Sequence, residues 1–319
     1  MHYFKKSNNY PHGIMFHHFH DDKKHLAGQG SINKNEFYKI IKFIGRENII
    51  DAQEFSRRLT EGKLSRKDVC ITFDDGIKSQ LDIALPLLEN LEIKSFFFVY
   101  GSIFTNNLDL LEIYRFFRIN YFKKINDFYD AFNKHLNKRY IPFLKKKSKQ
   151  IKSKKEIQPF YSIRDIEFRL LRNDFLSRKK YNHIMLKMFK EKNFHPKKYL
   201  KRLFITKNDL IKINSLGHQI GLHSYSHPTI LDKLPFKKQY MEYKKNLTVL
   251  SEILKIKKNN IKTMSHPSGR YNKNTLKALK LNGIEIGFKN TMDESKIIKN
   301  KDNLLEIPRE NHSIILSKM

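Results

Sequence analysis

Short apolar runs alternate with stretches of helical periodicity along most of the chain, a pattern that is typical of α/β proteins. Strands are predicted at 13–16, 68–73, 95–99, 218–222, 261–264, 283–288 and 304–308. Helices are predicted at 33–45, 79–90, 206–217, 236–256 and 272–283. Several of these helices begin after Asn or Thr and end at Gly, which are the usual start and stop residues. The pattern therefore predicts an α/β fold.

One long stretch, 104–203, interrupts this alternation. It is helical in pattern, very basic and rich in aromatic residues, and its middle part, 145–155, has seven lysines in eleven residues. Such a lysine-rich segment is expected to be exposed. Because strands are predicted on both sides of the stretch, we expect a single catalytic domain over 1–319, with 104–203 as a helical basic insertion within it.

The composition narrows the class of protein. The sequence has 319 residues, of which 39% are hydrophobic and 13% aromatic, which is enough to fill a sizeable core. Its single cysteine, Cys70, excludes a disulfide framework and a metal site built from cysteines alone. The basic start is not followed by an apolar run, and the apolar stretch 95–100 is too short to span a bilayer. We therefore expect a globular protein of the cytoplasm.

The formal net charge of +31 favours anionic partners, such as a phosphorylated sugar carrier or the acidic inner face of a membrane. A lysine-rich coding bias would explain the same charge without any functional meaning. Nucleic acid is not favoured as a partner, because the lysines do not gather beside a known nucleic-acid-binding motif. Peripheral contact with an anionic membrane remains one hypothesis.

Polar clusters follow four of the predicted strands, at the carboxyl ends where α/β folds place their sites. The clusters are HHFHDD at 17–22, DDG at 74–76, HSYSHP at 223–228 and HPSG at 266–269. Two histidines four residues apart can present two imidazole nitrogens to one metal ion, and a carboxylate as third ligand leaves a position open for water. Of two adjacent aspartates at a strand end, one can bind the metal while the other accepts a proton from water.

Three of these clusters resemble the motifs of a known family. TFDDG at 72–76 is similar to the first motif of the polysaccharide deacetylases, the NodB-homology enzymes of carbohydrate esterase family 4. GHQIGLHSYSHP at 217–228 resembles the second motif, and PSGRYN at 267–272 is similar to the third. The motifs occur in the family's order, and the resemblance covers roughly 1–103 and 204–319. It implies a distorted (β/α)7 barrel of NodB type and a carbohydrate N-deacetylase activity.

The resemblance also implies a role for each matched residue. Asp75, His223 and His227 would hold a divalent metal, which is usually zinc in this family. Asp74 would be the general base for the attacking water. A backbone N–H near Ser268 would help the metal to stabilise the oxyanion.

The sequence departs from the family pattern in several places. The family often has an arginine shortly before the third-motif proline, where this chain has Ser265 and His266. Arg270 or Arg309 is expected to supply the missing positive charge, and we assign Arg309 to catalysis. Ser268 replaces a tyrosine that is usual in the family. The residues expected to contact substrate are Pro267, Gly269, Arg270 and His20.

The general acid, which protonates the leaving amine, is expected to be a histidine. Some relatives place it late in the chain, where His312 is the only candidate. Others resemble this chain in having an early strand that ends in an aromatic residue and a histidine. We therefore rank His17 first, His20 second and His312 third.

Together these features predict a metal-dependent hydrolase that removes N-acetyl groups from an amino sugar or glycan precursor in surface polysaccharide biosynthesis. The substrate would be nucleotide-linked, lipid-linked or oligomeric. One alternative is a catalytically inactive protein of the same fold that binds an anionic glycan or glycolipid. Another is an iron(II) oxygenase, whose facial triad also has two histidines and a carboxylate, although its close pair is a histidine and a carboxylate.

Overall fold

The computed structural model describes residues 3–6, 10–105, 110–157, 161–292 and 304–319. These residues form two compact units. The first unit consists of the described residues within Met1–Ala27, Ser31–Asp109 and Phe204–Met319. The second unit consists of the described residues within Gly28–Gly30 and Leu110–Leu203. None of the helices in the described part of the chain is long and apolar enough to cross a bilayer. The single catalytic domain over 1–319 stays a prediction.

The strands lie in the first unit. In chain order they are β1 (His12–Phe16), β2 (His18–Phe19), β3 (Ser31–Ile32), β4 (Val69–Asp74), β5 (Phe96–Val99), β6 (Gln219–Leu222), β7 (Thr263–Ser265), β8 (Ile286–Phe288) and β9 (Arg309–Asn311). Seven of them form one parallel sheet in the order β8-β7-β6-β5-β4-β1-β9, while β2 pairs with β3. A parallel bridge between Phe288 and Ile307 joins the two edges. The sheet is therefore nearly closed, which confirms the predicted distorted (β/α)7 barrel.

Helices surround this sheet and also build the second unit. The first four are α1 (Tyr3–Lys6), α2 (Lys34–Ile44), α3 (Ala52–Glu61) and α4 (Leu85–Asn90). The second unit contains α5 (Leu111–Asn120), α6 (Ile125–Lys134), α7 (Tyr140–Lys146), α8 (Ser148–Ile157), α9 (Ile163–Leu170), α10 (Arg178–Glu191) and α11 (Leu200–Leu203). The last four are α12 (Lys207–Ser215), α13 (Phe236–Leu254), α14 (Lys273–Leu281) and α15 (His312–Lys318). Capping boxes begin α2, α12 and α14, as the Asn and Thr residues at their starts predict.

The first unit has an apolar core on each face of the sheet. The core inside the barrel includes Cys70, Phe96, Phe98, Phe288 and Ile307, with Phe55 of α3. The core between the sheet and the outer helices includes Ile14, Phe16, Ile71, Phe73 and Phe97. Because side chains alternate along β4, Thr72 and Asp74 point to the same side as Cys70. Asp74 therefore points toward the barrel interior from the last position of its strand.

Aromatic side chains form the core of the second unit. The ring of Phe189 lies 4.7 Å from that of Phe117 and 4.5 Å from that of Phe194. Buried Asp165 accepts a hydrogen bond of 2.5 Å from Arg169. The lysine-rich segment 145–155 spans the end of α7 and most of α8, with a turn at Lys147 between them; Ile151 packs inward and most of its lysines are exposed.

The last predicted strand is wrong in position. Residues 304–308 were expected to be extended, but Leu304–Glu306 form a 3-10 turn and the strand is Arg309–Asn311. Pro308 has no N–H, yet its carbonyl accepts a hydrogen bond of 3.0 Å from the N–H of Gly13. The hydrogen bonds with β1 therefore start at this carbonyl. They continue along Arg309–Asn311, which are polar and have no strand-like pattern.

The helix predicted at 79–90 also differs in detail. It begins as a π-helical turn at Gln80–Ala84 and becomes α-helical only at Leu85–Asn90. Pro86 lies in the first turn of the α-helical part. Proline has no N–H to donate, and the first turn of a helix tolerates this because its N–H groups have no partner within the helix.

Candidate metal centre and active site

Asp75, His223 and His227 lie together at the carboxyl ends of β4 and β6, and all three are buried. Their ligand atoms are within 4.8 Å of one another. The Nε2 atoms of His223 and His227 lie 3.2 Å and 3.3 Å from Oδ1 of Asp75. This carboxylate oxygen is buried and has no hydrogen-bond partner among the described residues. A divalent ion would satisfy it, so one carboxylate and two imidazoles fit a metal such as zinc.

The loop that presents the two histidines has an unusual backbone. Ser224 and His227 have φ values of 58° and 47°, in the left-handed region that non-glycine residues rarely adopt. The Ser224 hydroxyl oxygen accepts a hydrogen bond of 3.1 Å from the N–H of His227. Glu242 of α13 accepts hydrogen bonds from the N–H groups of Tyr225 and Ser226, at 3.1 Å and 2.8 Å. These bonds hold the strained loop in place.

A hydrogen bond on the opposite ring nitrogen orients His223. Its Nδ1 lies 3.0 Å from the carbonyl oxygen of Ser265 and 2.7 Å from the hydroxyl oxygen of the same residue. Since the carbonyl can only accept, Nδ1 donates, and the lone pair of the neutral ring is on Nε2, which faces Asp75. Burial would lower the pKa of His223, but the carboxylates of Asp74 and Asp75 outweigh burial and raise it.

Asp74 forms a buried bidentate ion pair with Arg309. The two terminal nitrogens of Arg309 donate to the two carboxylate oxygens, each at 2.7 Å. Burial alone would raise the pKa of Asp74, but the Arg309 guanidinium, with His223, lowers it to about 2. Asp74 is therefore a carboxylate at neutral pH.

Ser265 connects the two aspartate sites. Its hydroxyl donates a hydrogen bond of 2.9 Å to Oδ1 of Asp74. A hydroxyl has one proton, so the same group accepts the bond from His223. Ser265 and His266 lie where an arginine was expected from the sequence, and Arg309 reaches Asp74 from β9 instead. The other expected cation, Arg270, forms an ion pair of 3.0 Å with Asp232.

Gly13 makes room for Arg309. A Cβ atom at this position would lie 3.0 Å from Cγ of Arg309 and 3.2 Å from Cγ2 of Thr72. Arg309 also donates to the hydroxyl oxygen of Thr72 at 3.2 Å and to the carbonyl oxygen of Lys289 at 2.5 Å. The guanidinium is thus fixed on several sides inside the barrel.

The three candidate general acids lie in different surroundings. Nε2 of His17 is 3.6 Å from Oδ2 of Asp74, and its side chain is 27% exposed. His20 is half-buried, and its Nδ1 lies 3.0 Å from the hydroxyl of Ser31. His312 stacks on Phe16 at 5.5 Å, in the core between the sheet and the helices. Of the three, His17 is the one that a described ion-pair distance connects to Asp74.

The third-motif residues form a tight turn after β7, at Pro267–Gly269. Ser268 is exposed and has a φ of 53°. At Gly269, whose φ is 63°, a Cβ atom would lie 2.1 Å from the side chain of Asn290. The roles of these residues toward substrate stay predictions.

His266 is buried beside this turn. None of its described hydrogen bonds or ring contacts is with Asp75, His223 or His227. Its Nε2 donates to the carbonyl oxygen of Leu305 at 2.8 Å, and its ring stacks on Tyr271 at 4.0 Å. Burial lowers the pKa of His266 to about 3. These contacts give His266 a packing role.

Three residues have supporting roles that the sequence does not signal. Gln80 donates to the backbone oxygens of His17 and Asp74, at 2.8 Å and 2.6 Å, and so connects the ends of β1 and β4. Glu242 holds the loop that presents the two histidines, and Ser265 holds the ring of His223. A π-helical turn, which often marks functional sites, follows the DDG cluster, but no sequence pattern signals it.

Comparisons with known proteins show similarities of sequence and of fold. The family model described as polysaccharide deacetylase matches residues 61–116 and 178–287, about half of the chain. No curated protein matches the sequence.

Several solved structures share the fold. The deacetylase PplD of Streptococcus pyogenes, in complex with acetate, has a TM-score of 0.55 at 16% identity, covering 98% of this chain and 99% of that chain. A de-N-acetylase from Aggregatibacter actinomycetemcomitans has a TM-score of 0.55 at 13% identity, with coverages of 97% and 99%. IcaB from Ammonifex degensii has a TM-score of 0.53 at 13% identity, with coverages of 95% and 91%. At these identities the similarity concerns the fold alone.

Proposed function

Because the chain belongs to the polysaccharide deacetylase family and is a carbohydrate N-deacetylase, we propose that it is a metal-dependent hydrolase of acetylated amino sugars. Asp75, His223 and His227 would hold the ion, and zinc is the ion that the donor set favours. When bound, the ion would act as a Lewis acid on the amide oxygen and lower the pKa of water. The observation that carries the proposal is the buried Oδ1 of Asp75, which lies between two imidazole nitrogens without a hydrogen bond.

Asp74 would act as the general base. Its carboxylate is anionic at neutral pH and points toward the barrel interior beside the Asp75 site. It would accept one proton from the water molecule that attacks the acetyl carbon. Arg309 and Ser265 hold both carboxylate oxygens by hydrogen bonds of 2.7–2.9 Å and so fix the base in one orientation.

His17 would act as the general acid. Amide hydrolysis breaks the carbon–nitrogen bond, and the leaving nitrogen must gain a proton to depart as an amine. The partly exposed ring of His17, at the same rim as Asp74, can meet both substrate and solvent. The turn at 267–269 would supply a backbone N–H to the oxyanion and contacts to the sugar. The products would be acetate and a free amino sugar.

The substrate would be a glycan precursor with an anionic carrier, used in the biosynthesis of a surface polysaccharide. The excess of 63 Lys and Arg residues over 32 Asp and Glu residues supports such a partner. A nucleotide-linked or lipid-linked sugar carries phosphate, whereas a neutral chitin oligomer does not. We propose accordingly that the enzyme works in the cytoplasm, at the anionic inner face of the membrane.

The test is acetate release from a substrate panel. Purified protein would be treated with a chelator, dialysed, and assayed before and after addition of zinc, cobalt or nickel. The panel would contain acetylated nucleotide sugars, lipid-diphosphate sugars and neutral oligomers. We expect acetate only from metal-replete protein, and faster release from phosphate-bearing substrates.

Other outcomes distinguish the alternatives. Acetate release that survives complete chelation would contradict the metal-dependent mechanism. Release that requires oxygen and iron(II) would favour an oxygenase. Binding of glycan with no acetate release under any metal would favour an inactive protein of this fold, which no observation on the described residues supports.

A further inference from the structure

The positive charge is concentrated in the helical second unit. Residues 110–203 contain 27 Lys and Arg residues and 8 Asp and Glu residues, a net charge of +19 out of the +31 of the whole chain. Less than a third of the sequence thus has most of its excess charge. A coding bias spread evenly along the chain would not produce this asymmetry, so the charge of this unit calls for an anionic partner.

One surface of this unit combines the charge with apolar groups. His183, Leu186, Lys187 and Lys190 are exposed on one side of α10, at helical spacings of three and four residues. Together with His195 and Pro196 they surround a cavity of about 630 Å³, and we name these six residues the α10 face. None of the described residues that line the cavity is acidic.

The cations of the α10 face differ from others in the same unit. Arg164 pairs with Asp130, and Arg169 pairs with Asp165, each at 2.5 Å. In contrast, Lys187 and Lys190 form no ion pair within the described part of the chain. Their charges are therefore available to an external anion.

The cavity is also apolar. Its lining includes the buried rings of Phe189 and Phe194, and Leu186 beside it is 44% exposed. Duplex nucleic acid presents phosphates to lysines but has no aliphatic chain that could enter such a cavity. A lipid bilayer presents both anionic headgroups and acyl chains, and amphipathic helices bind it with basic and apolar side chains together.

We propose that the α10 face is a docking surface for a bilayer containing anionic phospholipids. The proposal rests on the membrane contact in the proposed function and gives that contact a place on the molecule. Lys187, Lys190 and the two histidines would face headgroup phosphates. Leu186 and the apolar cavity would take up acyl-chain carbons at the boundary below the headgroups. Substrates on lipid carriers would then lie in the same membrane.

The test is co-sedimentation of the full-length protein with vesicles. We would compare vesicles of phosphatidylcholine alone with vesicles that contain phosphatidylglycerol, in low and in high salt. The α10 variant is Lys187→Glu/Lys190→Glu, which reverses two charges. The control is Lys149→Glu/Lys152→Glu, which changes the net charge by the same amount at exposed positions of α8. Each lysine near the surface contributes roughly fivefold to binding.

We expect selective binding to phosphatidylglycerol vesicles that is weakened at least about 25-fold by the α10 variant and far less by the α8 control. Leu186→Ser should weaken the salt-resistant part of the binding. Equal losses in the two charge variants, or equal binding to neutral vesicles, would overturn the proposal. So would a DNA or RNA oligonucleotide that competes fully with the vesicles.

Acetate assays on the same protein samples distinguish a failure of the docking surface from a failure of the proposed function. Acetate release from a water-soluble acetylated substrate should be unchanged in the α10 variant, because the α10 face is not part of the metal centre. If wild-type protein binds vesicles but releases no acetate from any substrate, the proposed function fails and the docking surface stands. If acetate is released but no vesicles are bound, the docking surface and the membrane contact fail, and the metal-dependent hydrolysis stands.

Discussion

Replacing Arg309 with methionine tests whether the buried ion pair with Asp74 holds the site together. Both side chains are at most 3% exposed, and two bonds of 2.7 Å join them. Removing one partner leaves a buried charge without compensation, which costs about 3–5 kcal/mol of folding free energy. Asp74→Asn leaves Arg309 unpaired and should cost a similar amount. The double variant has neither charge. Its loss of folding free energy should therefore be smaller than the sum of the two single losses, by at least about 2 kcal/mol.

The assay is urea unfolding of metal-free protein, followed by circular dichroism, for wild type, both single variants and the double variant. Metal-free protein is required because bound metal would stabilise the variants to different degrees. If the cost of the double variant equals the sum of the two single costs within about 0.5 kcal/mol, the two side chains do not stabilise each other. Unchanged stability in Arg309→Met alone would refute it as well.

Three further changes test individual side chains. His17→Ala should leave metal content unchanged, lower turnover by roughly 10²–10⁴ and remove the basic limb of the pH profile, because the leaving amine loses its proton donor; full activity would exclude His17 as the acid. Ser265→Ala removes the hydroxyl between His223 and Asp74 and should weaken metal binding by roughly 10–100-fold in a chelator competition, and an unchanged dissociation constant would contradict this. Burial lowers the pKa of His266 from 6.5 to about 3, so below pH 6.5 the unfolded chain binds a proton that the folded protein excludes. Stability should therefore fall with decreasing pH, with His266 contributing about 1.4 kcal/mol per pH unit near pH 5. His266→Phe should remove that contribution in urea titrations at pH 5 and 7. An identical change of unfolding free energy between the two pH values in wild type and variant would contradict this role of His266.

The barrel could be predicted from the sequence where its strands are continuous apolar runs. β4 and β5 are of this kind, and each begins within one residue of its predicted start. β9 could not be found this way, because its residues Arg309–Asn311 are all polar. Its strand conformation comes from pairing with β1 and from the bridge that nearly closes the barrel, both of which join distant parts of the chain.

In the candidate site, too, residues from contiguous motifs could be predicted and residues brought in by the fold could not. The three predicted metal ligands come from two short contiguous motifs, and the structure brings them together. The partner of Asp74 lies 235 residues away in sequence, so the pattern left Arg270 and Arg309 as alternatives. Only the fold shows that the side chain of Arg309 enters the barrel, through the space left by Gly13. Gln80 was missed because a single glutamine in a helical pattern has no distinguishing spacing.

The proposed mechanism gives two adjacent aspartates different tasks, Asp75 as metal ligand and Asp74 as base. The most direct measurement compares the isosteric variants Asp75→Asn and Asp74→Asn for bound zinc after dialysis and for acetate release. We expect that Asp75→Asn loses both zinc and activity, while Asp74→Asn retains zinc and loses turnover by roughly 10²-fold or more. Near-normal turnover in Asp74→Asn, or full zinc content in Asp75→Asn, would contradict it.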